Sequence, residues 1–418
     1  MTSGEALAAI LDRAERAGWA GADPYDALLS PLGRLATPFG PVARIAVQQA
    51  ALRVPGFRYL AKAPPTVNPK GLGLFLGAAV RGRTVLGEER TRSLARSLLG
   101  ELRARVLAND DPAAPAWGYP FPWQSRWLWA PVGTPNAVVT ATVGLQLLEY
   151  GDALGDRDAT ALGVGAARFI ARGPHRTRFA DGALAISYTP RDRSRIINVS
   201  ALGARLVARA LGADDGDAFG DAPAREDARQ LVRGVIAYAV ETQRPDGTWP
   251  YAPDPRGGWV DSFHTGYILE SLLELRARGE TVPEDALARG FAAYAGFFDD
   301  EGGGRLLAEE TAPYDGHSTG QGVLTYAALA RAGGVRGCTV AEAHDRALRI
   351  ARWALDQLWL PKRGYFAYRI NRGTRDERDF TRWVQAWMAL AMATAAGIEA
   401  ASDVEAGSMD REHTRVGV

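Results

Sequence analysis

Asp261 and His264 stand three residues apart in the string Trp259-Val260-Asp261-Ser262-Phe263-His264-Thr265. On a helix that spacing puts both on one face. A carboxylate beside an imidazole fixes its tautomer and raises its basicity, so His264 is a candidate general base or acid. The same residues also have a structural use, because Asp261 or Ser262 can cap a helix and leave His264 in the core. A denser titratable cluster follows: Glu309, Glu310, Tyr314, Asp315 and His317, with Gln321 one turn further on. Glu309 and Glu310 point in opposite directions if extended, so at most one faces a shared site. The chain has five histidines, and two of them, His264 and His317, open apolar segments in corresponding places. The catalytic candidates are therefore His264, His317, Asp261, Tyr314, Glu310 and Asp315.

Other loops carry groups suited to holding a ligand. Trp117, Tyr119, Trp123 and Trp127, stiffened by Pro120 and Pro122, form a platform of ring faces. Such faces stack on the C–H faces of a sugar, while Gln124 and Arg126 can bind hydroxyls or a carboxylate. Arg191, Arg193 and Arg195 precede Asn198, and guanidinium groups suit a bidentate anion. Trp249, Tyr251 and Trp259 lead into the Asp261 segment. Tyr365 and Tyr368 precede Arg382 and Gln385, which are three apart beside Trp383 and are expected to face the site together. A Gly-rich phosphate loop, a nucleophile elbow and a helical His-Glu-x-x-His motif are all missing. A metal held by His264, His317 and Asp261 or Asp315 is conceivable, but the spacing does not demand it. No metal or cofactor is expected.

These loops precede apolar segments of helical period that begin near Thr134, Ile196, Asp261, His317 and Thr381, at intervals of roughly 60 residues. A sixth lies near Gly71. Amphipathic segments alternate with them at 87–106, 157–172, 225–243, 285–298 and 340–359, and helices are also expected at 4–17 and 41–54. A hairpin of this kind cannot bury its apolar face alone, so neighbours must cover it. Six inner and six outer helices close into a ring. The expected fold is all-α: one (α/α)6 toroid over 1–400, with the first forty or so residues packed on the last hairpin. Short rim β-hairpins are expected at 183–190, 246–253 and 364–371, and a frayed tail at 401–418. An open α-solenoid is the alternative. In the closed form, the loops entering the inner helices converge on one mouth.

Composition narrows the function. A chain of 418 residues, 47% hydrophobic and 23% charged, can bury a large core without staples. A net charge of +1 lacks the basic surplus that nucleic acid requires. The lone Cys338 excludes an intrachain disulfide and fits a reducing compartment. Met1–Glu15 carries acidic residues and no long apolar core, and no run of eighteen apolar residues occurs, so a cytoplasmic location without a membrane span is expected.

Several strings resemble a bacterial family associated with surface- and capsular-polysaccharide biosynthesis: DPYDAL (23–28), NPKGLGLFL (68–76), WGYPFPWQSR (117–126), GTPNAVVT (133–140), WVDSFHTGYILESL (259–272) and RWVQAWM (382–388). The resemblance spans nearly the whole chain and implies an (α/α) toroid, a glycan-related role and contact with polysaccharide-assembly proteins. Some members carry an aminolevulinate-dehydratase label. Such enzymes resemble TIM barrels built around a Schiff-base lysine, whereas this chain has only Lys62, Lys70 and Lys362 and no strand–helix alternation. Toroids of this kind also resemble six-hairpin glycosidases, polysaccharide lyases, uronate epimerases and squalene-type cyclases. Gln243 through Trp249 is similar to the cyclases' Gln…Asp-Gly…Trp repeat, but the Asp-rich acid or diphosphate motif is missing, with Asp214-Asp215 and Asp299-Asp300 in expected outer loops.

The expected function is action on an anionic, uronic-acid-type sugar by proton abstraction, in the manner of an epimerase or lyase. His264, His317 or Tyr314 would take the proton, and Arg126, Arg195 or Arg382 would neutralise the carboxylate. The alternatives are a glycosidase pairing Asp261 with Glu310 or Asp315, a non-catalytic glycan-binding protein, and a cyclase-like toroid.

Overall fold

The computed structural model describes residues 1–108, 111–213, 219–311 and 313–415, with side chains through 402. Asp214, Asp215 and Ala312 lie outside the described residues. The helices in chain order are α1 Ser3–Arg16, α2 Pro31–Ala36, α3 Gly40–Arg53, α4 Phe57–Leu60, α5 Pro69–Arg81, α6 Arg83–Leu86, α7 Glu88–Arg103, α8 Ala137–Leu154, α9 Arg157–Arg172, α10 Ile197–Ala213, α11 Ala222–Glu241, α12 Ser262–Ala277, α13 Glu284–Ala295, α14 Gly316–Arg331, α15 Val340–Gln357 and α16 Ala386–Arg415.

Helices α5, α8, α10, α12, α14 and α16 each pack on the next, and α16 packs back on α5. That last contact closes the ring, so the fold is the (α/α)6 toroid and not an open solenoid. Helices α7, α9, α11, α13 and α15 each cover the inner helix before them, and α1 covers α16. The sequence explains this division. In α5 every residue from Pro69 to Val80 is buried, which suits a helix that is apolar on all sides. In α15 only the stripe Ala343, Ala347, Ile350, Ala351, Trp353 and Ala354 is buried, while the remaining face carries charges. Both α1 and α15 begin in a capping box, Thr2 with Glu5 and Thr339 with Glu342.

Small residues let the inner helices approach closely. A Cβ on Gly320 in α14 would lie 3.1 Å from Met388 Sδ and 3.4 Å from the Trp387 carbonyl carbon in α16. Thr381–Ser402 is long and apolar enough to cross a membrane, but most of it is buried within the ring as the sixth inner helix. Further along the inner helices, toward their C-termini, the inward side chains are ion pairs: Arg81–Glu149 at 2.6 Å, Arg205–Glu270 at 3.0 Å and Arg205–Glu274 at 2.5 Å. None of these lines the mouth cavity, which ends above them.

The rim departs in part from expectation. A hairpin pairs 176–178 with 184–186. The segment 246–253 holds no strand, because Asp246 accepts from the Thr248 amide and hydroxyl and turns the chain there. Residues 365–366 pair with 359–360, whereas 369–371 pair with both 374–376 and 314–315. The expected frayed tail continues α16 as helix through Arg415, and 416–418 lie outside the described residues.

Gly320→Val is expected to destabilise the fold by about 1–3 kcal/mol through overpacking at the α14–α16 seam, measured by urea unfolding. An unchanged midpoint would mean that the two helices do not meet there.

Candidate active site

Asn68, Asn136, Asp261 and Asp315 cap α5, α8, α12 and α14, each accepting a hydrogen bond from a first-turn amide. The caps determine where each helix begins, and so which side chains its first turn sends into the mouth. Lys70, His264 and His317 arrive this way, and Asn198 and Arg382 enter from the start of α10 and from the turn before α16. The cavity they enter holds about 1600 Å³. Its wall is largely aromatic, built from Tyr25, Tyr119, Phe121, Trp123, Trp127, Tyr188, Tyr251, Trp259, Phe263, Tyr267, Tyr368 and Trp383. Tyr251 stacks on Trp259 at 4.6 Å, and Tyr119 on Phe121 at 5.2 Å. The volume exceeds what a single small ligand requires.

The two imidazoles have different partners. His264 Nδ1 lies 2.7 Å from Asp261 Oδ2, and the same carboxylate accepts the Trp259 indole N–H at 3.1 Å and the His264 amide at 3.0 Å. An ionised carboxylate only accepts, so Nδ1 carries the proton and Nε2 is left as the basic nitrogen. His317 Nε2 lies 2.7 Å from the Tyr267 hydroxyl. That phenol has no other acceptor among the described residues, so it donates to Nε2 and the neutral ring carries its own proton on Nδ1. His317 Nδ1 is buried without a partner among the described residues. Burial, with Lys70 and Arg382 nearby, holds the His317 pKa well below the usual histidine value. Phe263 lies between the two rings, 4.3 Å from His264 and 4.4 Å from His317 by centroid.

Three guanidinium groups at the mouth are matched to aspartates. Arg382 and Asp23, both nearly fully buried, make bonds of 2.5 and 2.6 Å. Arg369 bonds Asp315 at 2.6 Å, and Arg378 bonds Asp376 at 2.6 Å. Lys70 has no ion pair or side-chain hydrogen bond among the described residues. Its Nζ lies 5.2 Å from the ring centroids of both Tyr267 and Trp387. Burial and the adjacent Arg382 hold its pKa well below the usual lysine value. Asn198 Oδ1, Trp383 Nε1 and the Tyr368 hydroxyl are also buried without partners among the described residues. Each of these three side chains belongs to a residue that lines the cavity.

Of the expected site residues, Tyr119, Trp123, Gln124, Arg126, Asn198, Tyr251, Trp259, Asp261, His264, His317, Tyr365, Tyr368, Arg382 and Trp383 line the cavity. The others do not. Trp117 and Trp249 are buried anchors whose indoles donate to Leu102 and Ala239 carbonyls. Gln321 donates to Glu270 and Thr325 deeper in the ring. Arg195 lines a separate surface pocket beside Arg191 and Arg193, in a loop pinned by Asp192. Glu310 is exposed outside the cavity, and Asp315 is committed to Arg369 and its helix cap. Tyr314 packs on Trp353, with Asp299 at its hydroxyl. Gln385 turns away because residues 381–385 form a π-turn, in which the Gln385 amide bonds the Phe380 carbonyl. The wider turn separates Gln385 from Arg382, and its side chain instead bonds the Phe366 backbone at 3.0 and 2.8 Å. Lys70, Tyr25, Tyr188 and Tyr267 were missed. The rule that first turns of inner helices face the mouth would have found Lys70.

No family model matches the chain, and no curated protein matches it. Solved structures share the fold. The GH76 α-mannanase of Bacteroides thetaiotaomicron aligns with a TM-score of 0.58 at 11% identity, over 80% of this chain and 88% of that one. Cellobiose 2-epimerase from Bacillus thermoamylovorans aligns at 0.57 and 10% identity, over 79% and 87%. The GH76 α-1,6-mannanase of Salegentibacter sp. aligns at 0.58 and 14% identity, over 81% and 92%. At this identity the likeness establishes the toroid and nothing finer.

Removing one partner of the buried Asp23–Arg382 pair strands the other charge. Asp23→Ala is expected to cost about 3–5 kcal/mol, and the double change Asp23→Leu with Arg382→Met to recover most of it. Calorimetry on the two variants checks this; equal losses in both would remove the ion pair as the cause.

Proposed function

We propose that this chain is a carbohydrate-active enzyme that moves a proton at a carbon beside a sugar carbonyl, an epimerase-type reaction. The observation that carries the reading is the division of labour between the histidines. His264, oriented by Asp261, presents a basic Nε2. His317, held neutral by burial, lines the same cavity, and its Nδ1 is buried without a partner among the described residues. In the reaction, His264 takes the proton from the carbon next to the carbonyl, and the carbonyl oxygen gains the charge. The His317 Nδ1–H and the converging N-termini of the inner helices stabilise that oxygen. To invert the carbon, the enediolate rotates between the aromatic walls so that its opposite face meets protonated His264, which then gives the proton back.

The site disfavours the other chemistries. A glycosidase needs two carboxylates flanking the bond. Here Asp261 is already bonded to His264 and Trp259, Glu310 and Asp315 do not line the space, and the other lining carboxylates, Asp376, Glu377 and Asp379, are paired with Arg378, Arg363 and Arg13. The anionic substrate expected from the arginines also loses support, because Arg382 is paired and Arg195 lies in another pocket. Arg126 remains, at the rim, donating to the Arg256 carbonyl. The aromatic walls favour a neutral sugar, and the proposed proton transfer beside a carbonyl requires a free reducing end. That a mannanase and a cellobiose 2-epimerase share the fold agrees with a sugar ligand.

The test is incubation in D2O with reducing oligosaccharides and, in parallel, uronic-acid oligosaccharides, followed by NMR. Deuterium is expected at the carbon beside the carbonyl of a reducing sugar. His264→Ala should slow its entry by about 10²–10⁴-fold while leaving sugar binding in place, and Trp123→Ala should weaken binding. Bond cleavage without deuterium entry would overturn the proposal in favour of hydrolysis.

A further inference from the structure

The outer face of the segment 31–62 has no cover. Eleven large hydrophobic side chains are exposed among the described residues, and seven of them fall between Leu32 and Leu60. Leu35 is 69% exposed, Phe39 74%, Val42 82%, Tyr59 86% and Leu60 78%. Helix α3 runs fourteen residues, yet it buries only Gln48 and Ala51. A monomer does not concentrate its exposed apolar surface in this way without a partner for it.

The inner side of the segment has a different task. Gln48 exchanges hydrogen bonds with the Gln124 backbone at 2.9 and 3.2 Å, and Arg44 lies over the Trp129 ring at 4.0 Å. Ile45, Gln49 and Leu52 line the cavity. The segment is thus fastened to the cavity rim by one side and left bare on the other.

Charge identifies what covers the bare side. From residue 27 to residue 87 the sequence contains no Asp or Glu. Arg58 is consumed by the buried Asp26, at 2.7 Å. Arg34 and Lys62 are exposed and have no ion pair among the described residues, while Arg53, also without one, lines the cavity. A partner must therefore accept projecting Phe, Leu and Tyr side chains and supply negative charge around them. A second copy of this segment would bring cation against cation. An anionic bilayer surface meets both requirements, since apolar and aromatic side chains enter the headgroup boundary while Lys and Arg attract anionic lipid.

We propose that the 31–62 segment is a peripheral membrane-docking surface for anionic lipid. Because the other side of α3 lines the cavity, docking places the cavity mouth beside the lipid surface, where a lipid-held glycan is within reach. The docking argument does not depend on the reaction proposed above.

Co-sedimentation of the full chain with vesicles tests it. The protein should pellet with phosphatidylcholine–phosphatidylglycerol vesicles at low salt. It should partition on the order of tenfold less to phosphatidylcholine alone, and less again at high salt. Phe39→Asp with Leu60→Asp should abolish pelleting, and Arg34→Glu with Lys62→Glu should remove its preference for the anionic lipid. All four side chains are exposed, so both double variants should keep the wild-type thermal midpoint. A wild-type protein that stays in the supernatant with both vesicles overturns the proposal. So does pelleting that survives both double variants, or a dimer in solution that Phe39→Asp with Leu60→Asp dissociates while no lipid binds.

Discussion

The mouth of the toroid depends on a single buried ion pair. Asp23 precedes the first inner helix, Arg382 begins the last, and their bonds of 2.5 and 2.6 Å join the two ends of the ring. Glycines allow the approach. A Cβ on Gly71 would lie 3.4 Å from Arg382 Cβ, and one on Gly21 would overlap Thr381. The Arg382 guanidinium lies over the rings of Trp383 and Tyr119, at 4.8 and 5.4 Å, so the pair also positions two of the cavity walls. Breaking such a pair is far more costly than never having built it.

The pair also determines the chemistry available at the mouth. Arg382, Arg369 and Arg378 are each matched to an aspartate, which cancels three of the fixed positive charges there. The remaining basic groups, Lys70, His264 and His317, sit at helix N-termini in a largely desolvated cavity, where added positive charge is resisted unless a carboxylate compensates. Only His264 has that compensation, from Asp261. A neutral imidazole and an oriented base, with Phe263 between them, follow from the burial of His317 and from the carboxylate beside His264.

The ring was legible in the sequence because the inner helices are apolar on every side and recur at a near-constant interval, which few folds other than stacked hairpins satisfy. The Asp261–His264 pair was legible for the same reason, as two residues at helical spacing at the start of such a segment. Residue type alone misled elsewhere. Trp117 and Trp249 look like a sugar platform, but an indole N–H with a backbone carbonyl in reach is equally a core anchor. Asp315 looked like a catalytic acid until the fold brought Arg369 to it across 54 residues of chain. Gln385 was placed by α-helical geometry that the π-turn does not obey. Lys70 was passed over because its string reads as an ordinary helix start. The bare face of 31–62 could not be read at all, since a helix expected near 41–54 carries no sign of which side the ring will cover.

The most direct test of this account is the protonation of the two imidazoles, read by long-range 1H–15N NMR on histidine-labelled protein, with His264→Gln and His317→Gln giving the assignments. The account predicts that His264 carries its proton on Nδ1. It also predicts that His317 stays neutral well below pH 6.5, the usual histidine value, because the folded site resists the charge. A His317 ring that takes up a second proton near that ordinary value, or a His264 protonated on Nε2 when neutral, would contradict the assignment of base and donor.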